Sequence, residues 1–185
     1  MATDWRRLLD DLVSERRGAL VGYAFLYTGN LSAAEDLVHD AILRTFSKPR
    51  RLGSVPEAEA YVKRAIVTTF LNSVKRKQRF RERMHLVAAA DRVADDAEEL
   101  GARDEVHTAV LGLPPRERAC IVLRHFEAMP IRDIADALGL AEGSVKRYLS
   151  DATTTLRARL GDRAPDDTGV DPENVAVESH QGGRR

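Results

Sequence analysis

Residues 113–160 read LPPRERACIVLRHFEAMPIRDIADALGLAEGSVKRYLSDATTTLRARL. Ile134, Ala135 and Leu138 recur at helical spacing and give a first helix one apolar face. Gly139 follows, where a tight turn needs a residue tolerant of positive φ. Val145 and Leu149 then give the next helix a buried face, so the two helices pack while the second projects outward. This is the helix-turn-helix pattern, a device for reading duplex DNA. Lys146 and Arg147 fall near the start of the second helix, where phosphate and base-edge contacts are made. Ala135, Leu140 and Val145 at these offsets from Gly139 make the match narrower than amphipathicity alone. The competing reading is a purely structural helix pair.

Working outward, the rest of the 185-residue chain also reads as helical, with no strand-period alternation and no internal repeat. Residues 4–28 carry Leu8, Leu9, Leu12, Leu20, Tyr23, Ala24 and Tyr27 as one stripe, with a break expected around Gly18. Thr28, Gly29 and Asn30 signal a turn. Ser32 and Glu35 have capping-box spacing and predict a helix to about Phe46, with Ala34, Leu37, Val38, Ala41 and Ile42 inward. Lys48 and Pro49 stop it, and 48–56 reads as a loop containing Gly53 and Pro56. Ser54 and Glu57 form a second capping box, opening a helix over about 57–86 with Tyr61, Val62, Ala65, Ile66, Phe70, Leu71 and Val74 as its apolar set. Residues 88–104, Ala- and acid-rich, read as a linker, and a further helix is expected over about 104–112. Beyond Gly161 the chain is polar and rich in Pro and Gly; it cannot bury enough surface to offset ordering entropy, which predicts disorder. The organisation expected is therefore all-α: a domain over 1–87, a flexible acidic linker over 88–104, a helix-turn-helix domain over 105–161 and a tail over 162–185.

Composition limits the function classes. The chain is 43% hydrophobic, 31% charged and 5% aromatic, a balance typical of soluble helical proteins. No apolar run approaches the ~18 residues of a membrane span, and the N-terminus has no signal-peptide core. A lone Cys120 excludes an internal disulfide, fits a reducing cytoplasm, and sits between apolar neighbours as a small buried hydrophobe. The net charge of zero conceals segregation. Residues 1–90 hold 16 Lys+Arg against 10 Asp+Glu, and 91–108 hold 2 against 7. Residues 109–160 hold 8 against 6, and 161–185 hold 3 against 6. Two modules joined by an acidic bridge follow from that pattern.

Lys75, Arg76, Lys77, Arg79, Arg81 and Arg83 place six positive charges in nine residues, with Phe80 among them and Glu82 as the sole acid. A nearly single-signed run of this density suits a phosphate backbone; the alternative is a solvated helix end. Tyr61 and Phe70 are candidate stacking surfaces for unpaired bases, although at helical spacing such residues more often belong to a core. No enzyme constellation is present. His39, His85, His107, His125 and His180 pair with nothing at metal-ligand spacing, and neither a phosphate-binding glycine loop nor a nucleophile elbow occurs. Neither a metal nor a cofactor is expected.

Two motifs carry a family resemblance: residues 34–44, AEDLVHDAILR, and the helix-turn-helix with its LPPRER lead-in. Separated by a basic helix and an acidic linker, they make residues 10–160 resemble the extracytoplasmic-function (ECF) sigma factors of bacterial RNA polymerase. The YVKRAI wording at 61–66 is similar to the actinobacterial group called SigE-like. The resemblance implies a sigma region 2-like bundle followed by a region 4-like helix-turn-helix, acting together in promoter-specific initiation without catalysis. It implies that Glu35, Asp36, His39, Asp40 and Leu43 dock on the clamp helices of the polymerase's largest subunit, His39 standing where Gln is usual. It assigns Arg64, Thr68, Asn72, Lys75, Arg76, Lys77 and Arg79 to the −10 element and its opened strand, with Thr68 at a position commonly Asn and Asn72 at one commonly Asp. It assigns Ser144, Lys146, Arg147 and Tyr148 to the −35 element. Ala141 replaces the usual Ser or Thr cap; Tyr148 and Asp151 stand where basic residues are common, and Arg147 replaces a small residue. The implied partners are core polymerase through its clamp helices and flap, duplex and single-stranded promoter DNA, and an anti-sigma factor, all in the cytoplasm. The rival readings are a free-standing helix-turn-helix regulator and a helical adaptor that binds protein through 31–46 and never touches DNA.

Overall fold

The computed structural model describes residues 4–47, 52–84, 105–161 and 164. Among these residues there are seven α-helices and no strand. By its contacts the chain divides into two compact units, Met1–Ala102 and Arg103–Arg185. The expected linker over 88–104 and nearly all of the expected tail lie outside the described residues.

The first unit holds α1 (Asp4–Thr28), α2 (Leu31–Phe46) and α3 (Val55–Met84), each packed on the other two. α1 runs unbroken through Gly18, whose missing side chain leaves only open space, so it marks no kink. Leu12, Leu20, Tyr23, Ala24 and Tyr27 face Val62, Ile66 and Phe70 in a core that also takes Ala34, Leu37, Val38 and Ala41. Tyr27 is fully buried because its hydroxyl has a partner, the Tyr23 hydroxyl at 2.9 Å. The Tyr27 ring meets Tyr23 edge-on at 5.3 Å and Phe70 at 5.4 Å. Ion pairs at the surface join α1 to both neighbours, Arg17 to Glu35 at 3.1 Å and Arg16 to Glu59 at 3.5 Å.

Two helix starts differ from expectation. α2 is capped by Asn30, whose Oδ1 accepts the Ala33 N–H at 2.9 Å, and not by Ser32. Glu35 is therefore one turn into the helix and pairs with Arg17 instead of closing a capping box. α3 begins at Val55, two residues earlier than expected, with Pro56 inside its first turn, where a missing N–H costs nothing. Ser54 does cap it, accepting from Glu57 N–H at 3.4 Å. The Glu57 carboxylate reaches back to the Gly53 N–H at 2.7 Å, one residue beyond the usual box.

The second unit holds α4 (Glu105–Leu111), α5 (Pro115–His125), α6 (Ile131–Leu138) and α7 (Glu142–Leu160). Its core is Ala109, Val110, Leu113, Cys120, Ile121, Val122, Ile134, Val145, Leu149 and Leu156. Burial pushes the Cys120 thiol up to about 12, so it is an inert apolar filler. α6 ends as predicted on Gly139 in the left-handed region (φ 63°, ψ 44°). The Leu140 N–H then reaches back to the Ala135 carbonyl at 2.9 Å, satisfying an orphan acceptor. The α5–α6 turn uses Ala128 at φ 50°, a conformation costing a non-glycine residue ~1 kcal/mol or more.

Candidate nucleic-acid and protein interfaces

Three charged faces emerge, and each is set by what its helix buries. On α2, burial of Ala34, Leu37, Val38, Ala41 and Thr45 turns the opposite side outward. Glu35, Asp36, His39, Asp40 and Leu43 all lie on that exposed side. Leu43, 55% exposed, stands one turn beyond Asp40, at the C-terminal end of this face. Negative charge repels phosphate, while acids beside an exposed apolar side chain suit a protein partner. This face is therefore suited to protein and not to DNA.

On α3 the buried side is Ala58, Val62, Ile66, Thr69 and Phe70. Arg64, Thr68, Asn72, Lys75 and Arg79 follow at spacings of three and four on the other side, forming one stripe. Arg64, Asn72, Lys75, Arg76 and Arg79 are exposed; Thr68 is half-buried and its hydroxyl donates to the Arg64 and Ala65 carbonyls, both at 3.1 Å. Lys77 is also exposed, but at ~100° per residue it points about 180° away from the stripe's centre. A strand following the stripe would not reach it. Phe70 is only 7% exposed and packed on Tyr27, which overturns its candidacy for base stacking. Tyr61 is half-buried.

On α7, Val145 and Leu149 are buried, which turns Lys146 and Arg147 to solvent, with Ser144 and Tyr148 half-buried beside them. The Arg147 guanidinium lies 5.3 Å from the Tyr148 ring centroid, so the aromatic positions the cation. Ala141 stands at the N-cap and supplies no side-chain hydrogen bond. That leaves free N–H groups at a helix N-terminus, a natural phosphate seat. Glu142 and Asp151 offset Lys146 and Arg147 over the first half of α7, while Arg157 and Arg159 in its last turn leave the helix as a whole with a surplus of positive charge. Asp151 also acts inward: burial first, and Asp151 second, raise the Glu117 carboxyl above its ordinary range.

Sequence reasoning missed how many arginines of this unit are structural. Arg118 donates through Nη2 to the Leu111 and Leu113 carbonyls and clamps the α4–α5 turn. Arg124 donates to the Met129 carbonyl at 3.1 Å, and Arg159 to the Ala109 carbonyl at 3.3 Å, tying α7 to α4. Backbone carbonyls leave no mark in a sequence, so nothing signalled these roles. Among the described residues no cluster of His, Cys, Asp or Glu could hold a metal, and no helix is long and apolar enough to cross a membrane.

Comparison with known proteins gives the same partition. Residues 12–80 match the Sigma-70 region 2 family and residues 103–156 match the family Sigma-70, region 4. The RNA polymerase sigma-E factor of Streptomyces coelicolor is 30% identical over 165 residues, covering 89% of this chain and 92% of the relative. The ECF RNA polymerase sigma factor SigL of Mycobacterium tuberculosis is 28% identical over 162 residues, covering 83% and 89%. A solved structure of the sigma factor RpoE in complex with the anti-sigma factor NepR, from Bartonella quintana, shares the fold. It aligns with TM-score 0.59 at 21% identity, over 86% of this chain and 99% of that one. A three-helix unit and a helix-turn-helix unit thus occur in one chain in the order, and over the length, that these relatives have. The chain belongs to the ECF sigma factors of the sigma-70 family.

Proposed function

We propose that the chain is a non-catalytic initiation subunit that binds core RNA polymerase in the cytoplasm and directs it to promoters through their −35 and −10 elements. The observation that carries this reading is the segregation of charge between the exposed faces: the α2 face is acidic and ends on Leu43, the α3 stripe is cationic, and α7 presents Lys146 and Arg147 beside its N-terminus. In the reading, Glu35, Asp36, His39, Asp40 and Leu43 dock on the clamp helices of the polymerase. Arg64, Thr68, Asn72, Lys75, Arg76 and Arg79 follow the −10 strand as it opens, and Lys77 contributes only long-range attraction. Ser144, Lys146, Arg147 and Tyr148 meet the −35 duplex in the major groove, while the second unit rests on the polymerase flap. An anti-sigma factor would silence the protein by covering these faces.

The local balance at the start of α7, where Glu142 and Asp151 offset Lys146 and Arg147, supports dependence on polymerase. Two low-affinity modules gain selectivity when a third body holds both, because the second contact then becomes intramolecular. The test is reconstitution with core polymerase on a library of promoter fragments, read as transcripts. Transcripts from a subset sharing two spaced elements are expected. Transcription no more selective than that of core polymerase alone would refute the proposal.

A further inference from the structure

α4 is seven residues long and buries Ala109 and Val110 alone, too little to hold so short a helix by itself. Its last four carbonyls have no partner inside the helix, so what satisfies them decides whether it stays. The Gly112 N–H donates to Thr108 at 3.2 Å and the Leu113 N–H to Val110 at 3.1 Å. Arg118 Nη2 donates to Leu111. The remaining acceptor, Ala109, takes Arg159 Nη1 at 3.3 Å. Arg118 lies just past the turn, seven residues from its partner, whereas Arg159 stands fifty residues on, in the last turn of α7. The helix dipole favours a cation at this end as well. One guanidinium thus joins the end of α7 to the helix by which the chain enters the unit.

Gly112 makes room for it. A Cβ built there would overlap the Arg159 guanidinium, and Gly112 has no positive φ that would require glycine for its backbone. The overlapped atoms are the far end of a flexible side chain, so an alanine would evict the guanidinium and leave the backbone in place. We propose that Arg159 is a positioning residue that locks α4 onto α7 and so fixes the length of chain between the two DNA-reading units. The inference rests on the initiation reading and adds a determinant of promoter spacing to it. Freed from α7, the seven residues of α4 lengthen from ~10 Å of helix to ~23 Å of extended chain. The ~13 Å gained equals about four base pairs at ~3.4 Å each. Slack matters because effective concentration is greatest when a connection just spans its two sites. A locked α4 sharpens the preferred spacing between the −35 and −10 elements, and a released one tolerates longer spacers.

The test is reconstituted transcription by the full chain with core polymerase, on a selected promoter whose spacer is lengthened stepwise to about five base pairs beyond its optimum. Arg159→Ala and Gly112→Ala should each shrink the wild-type preference for the optimum over about four added base pairs by about fivefold or more. The double variant should match the singles, because both act through one contact. Arg157→Ala, which removes the same charge from the same turn, should keep the wild-type profile. Hydrogen exchange gives an independent readout. In both variants the amides of 109–113 should exchange about tenfold faster or more, as expected for one lost charge-assisted hydrogen bond, while those of α6 stay protected and confirm folding. Unaltered exchange at 109–113, a wild-type spacer profile in both variants, a loss equal at every spacer, additive effects in the double variant, or the same broadening in Arg157→Ala would overturn the proposal. Wild-type transcription no more selective than that of core polymerase alone would strike the initiation reading instead, and exchange would still decide whether Arg159 locks α4.

Discussion

Gly139 and Gly143 lie four residues apart, on either side of the start of α7, and should respond oppositely to the same substitution. Gly139 holds φ 63° and ψ 44°, and a Cβ built there meets nothing within 4 Å. Crowding therefore contributes nothing, and the effect of Gly139→Ala is the backbone cost alone, ~1–2 kcal/mol. Gly143 lies in the first turn of α7, also with open space around a built Cβ and without positive φ. Gly143→Ala gains helix propensity and restricts the unfolded chain, a stabilisation of roughly 0.4–1 kcal/mol. For a domain of this size 1 kcal/mol moves Tm by ~4–8 °C. Gly139→Ala should thus lower the melting point of the helix-turn-helix unit by ~4–16 °C, with Asn milder than Ala and Val worse. Gly143→Ala should raise it by a few degrees. The assay is calorimetry or circular dichroism melting of the full chain, following the transition assigned to this unit. The same sign at both glycines, or Val tolerated better than Asn at 139, would refute the assignment of Gly139 to a left-handed turn.

Three further outcomes are expected. Glu117 has a folded pKa raised by burial and by Asp151, so its ionisation destabilises the fold: the cost is absent below its ordinary value of 4.5, grows as pH rises through the raised value, and is complete at neutral pH. Glu117→Gln should accordingly raise Tm at pH 7, with a gain that vanishes when both proteins are melted below that ordinary value; a gain independent of pH would contradict the cause given. Thr153 is buried on α7 with a hydroxyl that has no hydrogen-bond partner among the described residues, so Thr153→Val should stabilise by ~1–2 kcal/mol, measured by urea titration, and a loss of stability would show the hydroxyl to be satisfied. Replacing Lys146 and Arg147 together by Ala should cut promoter-dependent transcription about tenfold or more through lost phosphate contacts while leaving polymerase association intact; unchanged transcription would remove α7 from the −35 role.

What was legible in the sequence was whatever depends on local spacing. Ile134, Ala135, Gly139, Val145 and Leu149 form a pattern that asks for two helices packed across a left-handed turn, and the structure has it in α6, Gly139 and α7. The α2 face was equally readable, because five outward residues are fixed once the inward ones are known. Competition between neighbouring caps was not: Asn30 and Ser32 both precede an apolar run, and geometry chose Asn30. Phe70 was ambiguous because helical spacing cannot say whether a second helix covers a ring, and Tyr27 does. Arg118, Arg124 and Arg159 bind carbonyls, which every residue carries, so no residue type announced them.

The central claim is that these cationic faces select DNA only when polymerase holds them. It is tested most directly by footprinting one selected promoter with the chain alone, with core polymerase alone, and with both, alongside Asp36→Lys/Asp40→Lys on the α2 face. Protection of two spaced elements is predicted only for the combined wild-type proteins, and its loss for the charge-reversed chain. Protection of a symmetric site by the chain alone, unaffected by that charge reversal, would contradict the account.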